Sequence, residues 1–237
     1  MVLGLMWIGI FVLVTLALIR VQGLLWGTHH FYSEAIRVSD LRTGDLIMFQ
    51  DGTYHENPIT SSTPSHIGFV WNHPTYGPSV IDLFPISYPA RSERFVHERW
   101  NGVRILDLEG ILTRSRKRFF IRSYHGPLTD ADFVRAWTDA SYEQYDASFL
   151  DSGWRFLPMI VYHAAGVPGM DVLAGDLKNK QCIGWIVDVL CRLKVIDPSD
   201  MSLVLSQPLL FSTKNGTFDG CVHGPHTWSI ERHLVAN

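Results

Sequence analysis

Cys182, His66 and Asp82 are the residues of this chain whose types and surroundings fit nucleophilic acyl chemistry. Cys182 stands in "KNKQCIGWIVDVL", where a polar run gives way to an apolar helical pattern, so its thiol belongs to the first turn of a predicted helix. A helix N-terminus favours a thiolate, but the nucleophile also needs a base to carry its proton. His66 opens the strand-like run "HIGFVW" and is the best placed of the 11 histidines for that role. Asp82, in the next run "SVIDLF", is a hairpin's reach further on and can orient the imidazole. Such a triad would attack an amide or ester carbonyl through Cys182 and resolve a thioester with water or a second acceptor. The Cys182 amide would be one oxyanion donor, with the Gln181 side chain a candidate for another. Spacing alone favours the plainer reading of a core cysteine, a strand-end histidine and a polar edge aspartate.

Those three residues require a sheet and a helix to position them. "LRTGDLIMF" supplies turn chemistry at Thr43, Gly44 and Asp45 followed by an apolar run, and four more strand-like runs follow: "HIGFVW", "SVIDLF", "VRILDL" and "RFFIRS". Loop-forming Pro, Gly, Asn and Ser clusters separate them, the pattern of an antiparallel five-stranded sheet or barrel. Helical periodicity begins only in the second half of the chain. Thr129 and Asp132 form a capping-box pattern before Phe133, Ala136, Trp137 and Ala140, which recur at i, i+3, i+4 and i+7. From Cys182 onward, Trp185, Ile186, Val189, Leu190 and Leu193 continue one apolar face, and the cysteine is expected to point inward with them.

The bulk composition restricts the partners. With 46% hydrophobic residues, 18% charged residues and a formal net charge of -3, the chain offers no basic surface for nucleic acid. The 3 cysteines are too few, and odd in number, for a disulfide framework, so reduced thiols are expected. Cys221, His223 and His226 are spaced like a metal clip but have no evident fourth ligand; no metal and no cofactor are expected. The basic run Arg114, Arg116, Lys117, Arg118 and Arg122 is read as a solvated strand face rather than a lipid-headgroup site. Asp45 and the pair Tyr145–Asp146 are assigned to turns and packing, and the Asn215 sequon matters only if the domain is lumenal.

At the N-terminus, Thr15 alone interrupts an apolar, glycine-bearing run from Met1 to Ile19, the length of a bilayer span. No basic n-region or small-residue cleavage site accompanies it, which predicts a retained anchor rather than a signal peptide. The resulting expectation is a transmembrane anchor over 1–27, a juxtamembrane linker over 28–40, a domain over 41–210 and a tail over 211–237. The protein would then be a single-pass membrane protein, in a cellular or virion membrane, with its domain leaning to the cytosol.

The ordered segments "TGDLIMF", "SHIGFVW", "SVIDLF" and "EQYDASF", followed by a helix-opening cysteine, resemble the circularly permuted papain-like fold of the NlpC superfamily. The similarity is to its YiiX-like branch, which includes a poxvirus virion relative, and also to the lecithin-retinol-acyltransferase-like branch. "VIDPSDMSL" resembles the proline-bearing segment after the last helix of YiiX-like proteins. The resemblance implies an α+β fold in which histidine precedes cysteine, with Cys182 as nucleophile, His66 as general base and Asp82 as orienting group. It departs at Ile183-Gly184-Trp185, where relatives carry polar residues, and at Asp82, where Glu or His is usual. The function it implies is that of a membrane-anchored thiol hydrolase or acyltransferase: a peptidase, an amidase, or a lipid thioesterase or acyltransferase. Its expected partners are the bilayer and a lipid, lipidated or peptide substrate. The alternative is a catalytically inactive structural membrane protein of the same fold, such as a component of a large DNA virus particle with virion proteins as partners.

Overall fold

A computed structural model describes residues 14, 34–50, 66–83, 94–100, 103–114, 118–141, 182–197, 211 and 217–236. Ten strands occur among them: β1 (Ala35–Arg37), β2 (Leu46–Gln50), β3 (His66–His73), β4 (Gly77–Leu83), β5 (Val96–Trp100), β6 (Val103–Asp107), β7 (Arg118–Arg122), β8 (Tyr124–His125), β9 (Thr227–Trp228) and β10 (Arg232–Val235). Four helices accompany them: α1 (Leu108–Arg114), α2 (Asp130–Ser141), α3 (Cys182–Arg192) and α4 (Thr217–Cys221).

Eight strands form one sheet in the order β1-β10-β7-β2-β3-β4-β6-β5, and β8 pairs with β9. All five predicted apolar runs are strands of the large sheet, but the five-stranded antiparallel sheet or barrel must be corrected to an eight-stranded mixed one. β1 pairs parallel with β10, aligning Ile36 with Leu234 from opposite ends of the chain. No local pattern encodes such a pairing. β5 is an edge strand with exposed His97, Glu98 and Arg99, so it lacks the apolar run that marks an interior strand.

Strand alternation divides the core in two. Ile67, Phe69 and Trp71 of β3 join Leu46, Met48, Ile81, Leu83, Val103 and Ile105 on the face covered by α2 and α3. Val70, Val80, Leu106, Ile47, Phe49, Phe119 and Ile121 point the other way, towards α1, Ile36 and Leu234. Both predicted helices form with their predicted faces inward: Phe133, Ala136, Trp137 and Ala140 are buried on α2, and Trp185, Ile186, Val189 and Leu190 on α3. The α2 N-terminus closes as a capping box, the Thr129 backbone N–H donating to Asp132 Oδ2 at 2.9 Å and the Asp132 N–H to Thr129 Oγ1 at 3.4 Å. Gly44, at φ +92° in the turn into β2, lies directly under the Phe133 ring, where a side chain would collide.

The expected transmembrane helix over 1–27 lies, except for residue 14, outside the described residues. Among those described, no helix is long and apolar enough to cross a membrane. The longest, α2, has 12 residues, against the roughly 20 a span requires. The N-terminal transmembrane helix and the single-pass membrane localisation are therefore corrected: apolar length satisfies hydropathy, but spanning needs a long continuous apolar helix, and none occurs among the described residues.

Candidate functional site

On β3, even-numbered residues face away from α3, so His66 lies on the same face as Gly68 and Val70. β4 pairs antiparallel with β3, and on that same face it presents Val80 and Asp82. β6 places Arg104 directly opposite Asp82. Phe49 of β2, opposite His66, packs edge-on against the imidazole with ring centroids 5.1 Å apart. One line of side chains thus crosses four neighbouring strands: Phe49, His66, Asp82, Arg104.

The polar part of that line is tightly joined. His66 Nε2 lies 2.7 Å from Asp82 Oδ2. Arg104 donates from Nε to Asp82 Oδ1 at 2.8 Å and from Nη2 to Oδ2 at 2.6 Å, the two-pronged geometry that suits a carboxylate. Asp82 is fully buried, and the His66 side chain is 12% exposed. Burial alone would raise the Asp82 carboxyl, but the Arg104 charge and the His66 contact outweigh it and hold the group well below the ordinary carboxylate range. An ionised Asp82 can only accept, so His66 must donate from Nε2. The ring atom through which His66 would take a thiol proton is therefore Nδ1.

Gly68 makes the contact between neighbouring strands possible. It sits between His66 and Asp82 on their face, and a Cβ there would come within 2.8 Å of the Ile81 carbonyl oxygen and 3.2 Å of Asp82 Cβ.

Cys182 opens α3, as its sequence position predicts. Its side chain, and with it the expectation that it faces inward, lies outside the described residues, as do Gln181, Tyr145, Asp146, Asn215, Arg116 and Lys117. The body of α3 rests on β3 through Trp185, whose ring meets Phe69 edge-on at 5.9 Å. Phe69 belongs to the opposite face of β3 from His66. The structure therefore joins His66 to Asp82, whereas the body of α3 covers the other face of β3.

The remaining sequence candidates are placed elsewhere. His226 engages Tyr124 Oη through Nδ1 at 2.7 Å, Cys221 is buried at the end of α4, and His223 is exposed. No group of three or more His, Cys, Asp or Glu able to hold a metal occurs among the described residues. Asp45 is buried and accepts from the backbone N–H groups of Arg42 at 3.0 Å and Tyr124 at 2.8 Å. The basic run is not one face: Arg118 is exposed, whereas Arg122 is fully buried.

Arg104 is the site residue that the sequence analysis missed. A signal existed: Asp82 and Arg104 are the charged residues of "SVIDLF" and "VRIL", two apolar strand runs. Opposite charges inside buried strands require a partner. Comparison with protein-family models and with curated proteins returns no match for this chain.

Proposed function

We propose that the chain is a thiol hydrolase or acyltransferase of the permuted papain-like type, acting on an amide or ester bond with Cys182 as nucleophile, His66 as general base and Asp82 as the group that orients His66. The observation that carries this reading is the His66–Asp82 contact of 2.7 Å, made by a nearly buried imidazole on a fully buried carboxylate. A histidine held this way has one nitrogen committed to orientation and the other assigned to proton exchange, the arrangement an acyl-transfer base needs. The start of α3 adds the Cys182 backbone N–H as an oxyanion donor. The thiol proton passes to His66 Nδ1, the sulfur bonds to the carbonyl carbon, and His66 then protonates the departing amine or alcohol. Water or a second acceptor releases the acyl group from the thioester.

The position of α3 favours a second reading. Its body covers the face of β3 opposite His66, so the charged line can equally serve as a buried ionic tie in a protein of the same fold without turnover. Labelling each cysteine of the full chain with iodoacetamide across pH, resolved by mass spectrometry, separates the two. The enzyme reading expects Cys182 to remain reactive well below the ordinary thiol pKa of about 8.5, and to lose that advantage in His66→Ala. Labelling of Cys182 at the rate of an ordinary thiol in both proteins supports the non-catalytic reading.

A further inference from the structure

The observation that extends the proposed chemistry is Arg104, a buried guanidinium bound to the carboxylate that holds His66. Resting on that proposed reading, we propose that Arg104 is a positioning residue of the site: its guanidinium fixes the Asp82 carboxylate and neutralises it, so that His66 keeps a neutral ring with Nδ1 as proton acceptor. Three observations converge on this. The guanidinium occupies both Asp82 oxygens, which fixes the carboxylate plane, and His66 shares only Oδ2. Arg104 is itself buried, so its charge acts on the pair with little screening by water. Arg99 of β5, opposite Arg104 in the register, is exposed, so Arg104 is the cation of that pair that is held against the buried carboxylate.

A buried aspartate without a cation would be balanced by the nearest titratable base, and here that is His66. The imidazole would hold a second proton and have no lone pair for a thiol. Because a guanidinium does not release its proton in this pH range, Arg104 supplies the balancing charge permanently. When the Cys182 S–H bond breaks and an N–H bond forms at His66 Nδ1, the four groups carry two negative and two positive charges. Their sum is zero before and after the transfer; without Arg104 it would be -1 throughout. From β2 the neighbour of His66 is the uncharged Phe49 ring, and Gly68 contributes no side chain.

The test reads the ring nitrogens of His66 by nitrogen-15 NMR in the full chain carrying Cys182→Ser, which removes the thiol from the titration. With Arg104 present, the expected form at pH 7.5 is neutral and protonated at Nε2. In Arg104→Met the His66 midpoint should rise by about one unit or more, while Arg104→Lys, which keeps the charge, should stay close to the parent. A doubly protonated ring at pH 7.5 with Arg104 present overturns the proposal, and so does a midpoint that Arg104→Met leaves unmoved. If Arg104→Met does not fold, the parent's protonation state at pH 7.5 decides alone. Failure of the enzyme reading shows separately, as an unreactive Cys182 in the labelling experiment.

Discussion

Arg104 and Arg122 are both buried on strands of the same sheet, and their partners differ in kind. Arg122 donates from Nε to the Ser229 carbonyl at 2.8 Å and from Nη1 to the Phe211 carbonyl at 2.7 Å, and its Nη2 reaches Asp219 at 2.5 Å. These partners belong to the last quarter of the chain, so Arg122 fastens the segment around α4, β9 and β10 to β7. Arg104 directs its fork to one carboxylate, and that carboxylate holds a titratable ring. A cation fixed to backbone carbonyls and a half-exposed carboxylate stabilises a connection; a cation fixed to a buried Asp–His pair also sets where a proton can go.

Four experiments test the contrast. The largest expected effect is on stability: Arg122→Met should cost about 3–5 kcal/mol in urea unfolding, because buried carbonyls lose their donor, while leaving the His66 titration unchanged. A matching shift of His66 would remove the distinction between the two arginines.

The second contrast is between two buried aspartates, and unfolding free energy measured from pH 3 to 8 reads it. Burial lifts Asp45 from the ordinary 3.8 to about 6, against the opposing pull of the Arg42 and Tyr124 backbone N–H groups and of Arg232. Its folded-state value lies above the unfolded one, so its contribution is fully present below about pH 4 and is lost as pH rises towards 6, a change on the order of 2–3 kcal/mol. Asp82 lies on the other side of the reference value. Its contribution is present above about pH 4 and is lost as pH falls further. Asp45→Asn should flatten the first slope and Asp82→Asn the second; exchanged effects would refute the assignment.

Gly68→Ala should cost about 1–3 kcal/mol, since the added methyl meets a backbone oxygen that cannot easily move, and it should also part His66 from Asp82. Thermal unfolding and the His66 titration read the two consequences together. The smallest effect belongs to Tyr124→Phe. It removes the hydroxyl shared by His226 Nδ1 and the Leu128 backbone N–H, and about 1 kcal/mol should be lost without change in Cys182 labelling.

The sequence by itself determined the elements whose signals are local. Apolar runs bounded by turn residues placed the five interior strands, both of whose faces are buried, and a 3.6-residue apolar period placed α2 and α3, with a capping box marking the start of α2. Residue types and hairpin spacing named His66 and Asp82 as candidates on successive strands, and the register of β3 with β4 put them on one face in contact. The tertiary structure alone decided the matters that depend on distant or edge partners. These are the parallel pairing of Ile36 with Leu234, the edge strand β5, and the conversion of Arg122 from a surface charge into a clasp. The partner of Arg104 belongs to the same group: a charge inside an apolar run calls for one, but only the pairing of β6 with β4 names Asp82. The face on which α3 lies was likewise invisible in the chain: periodicity fixes which side of a helix turns inward, but only packing selects the surface it turns towards.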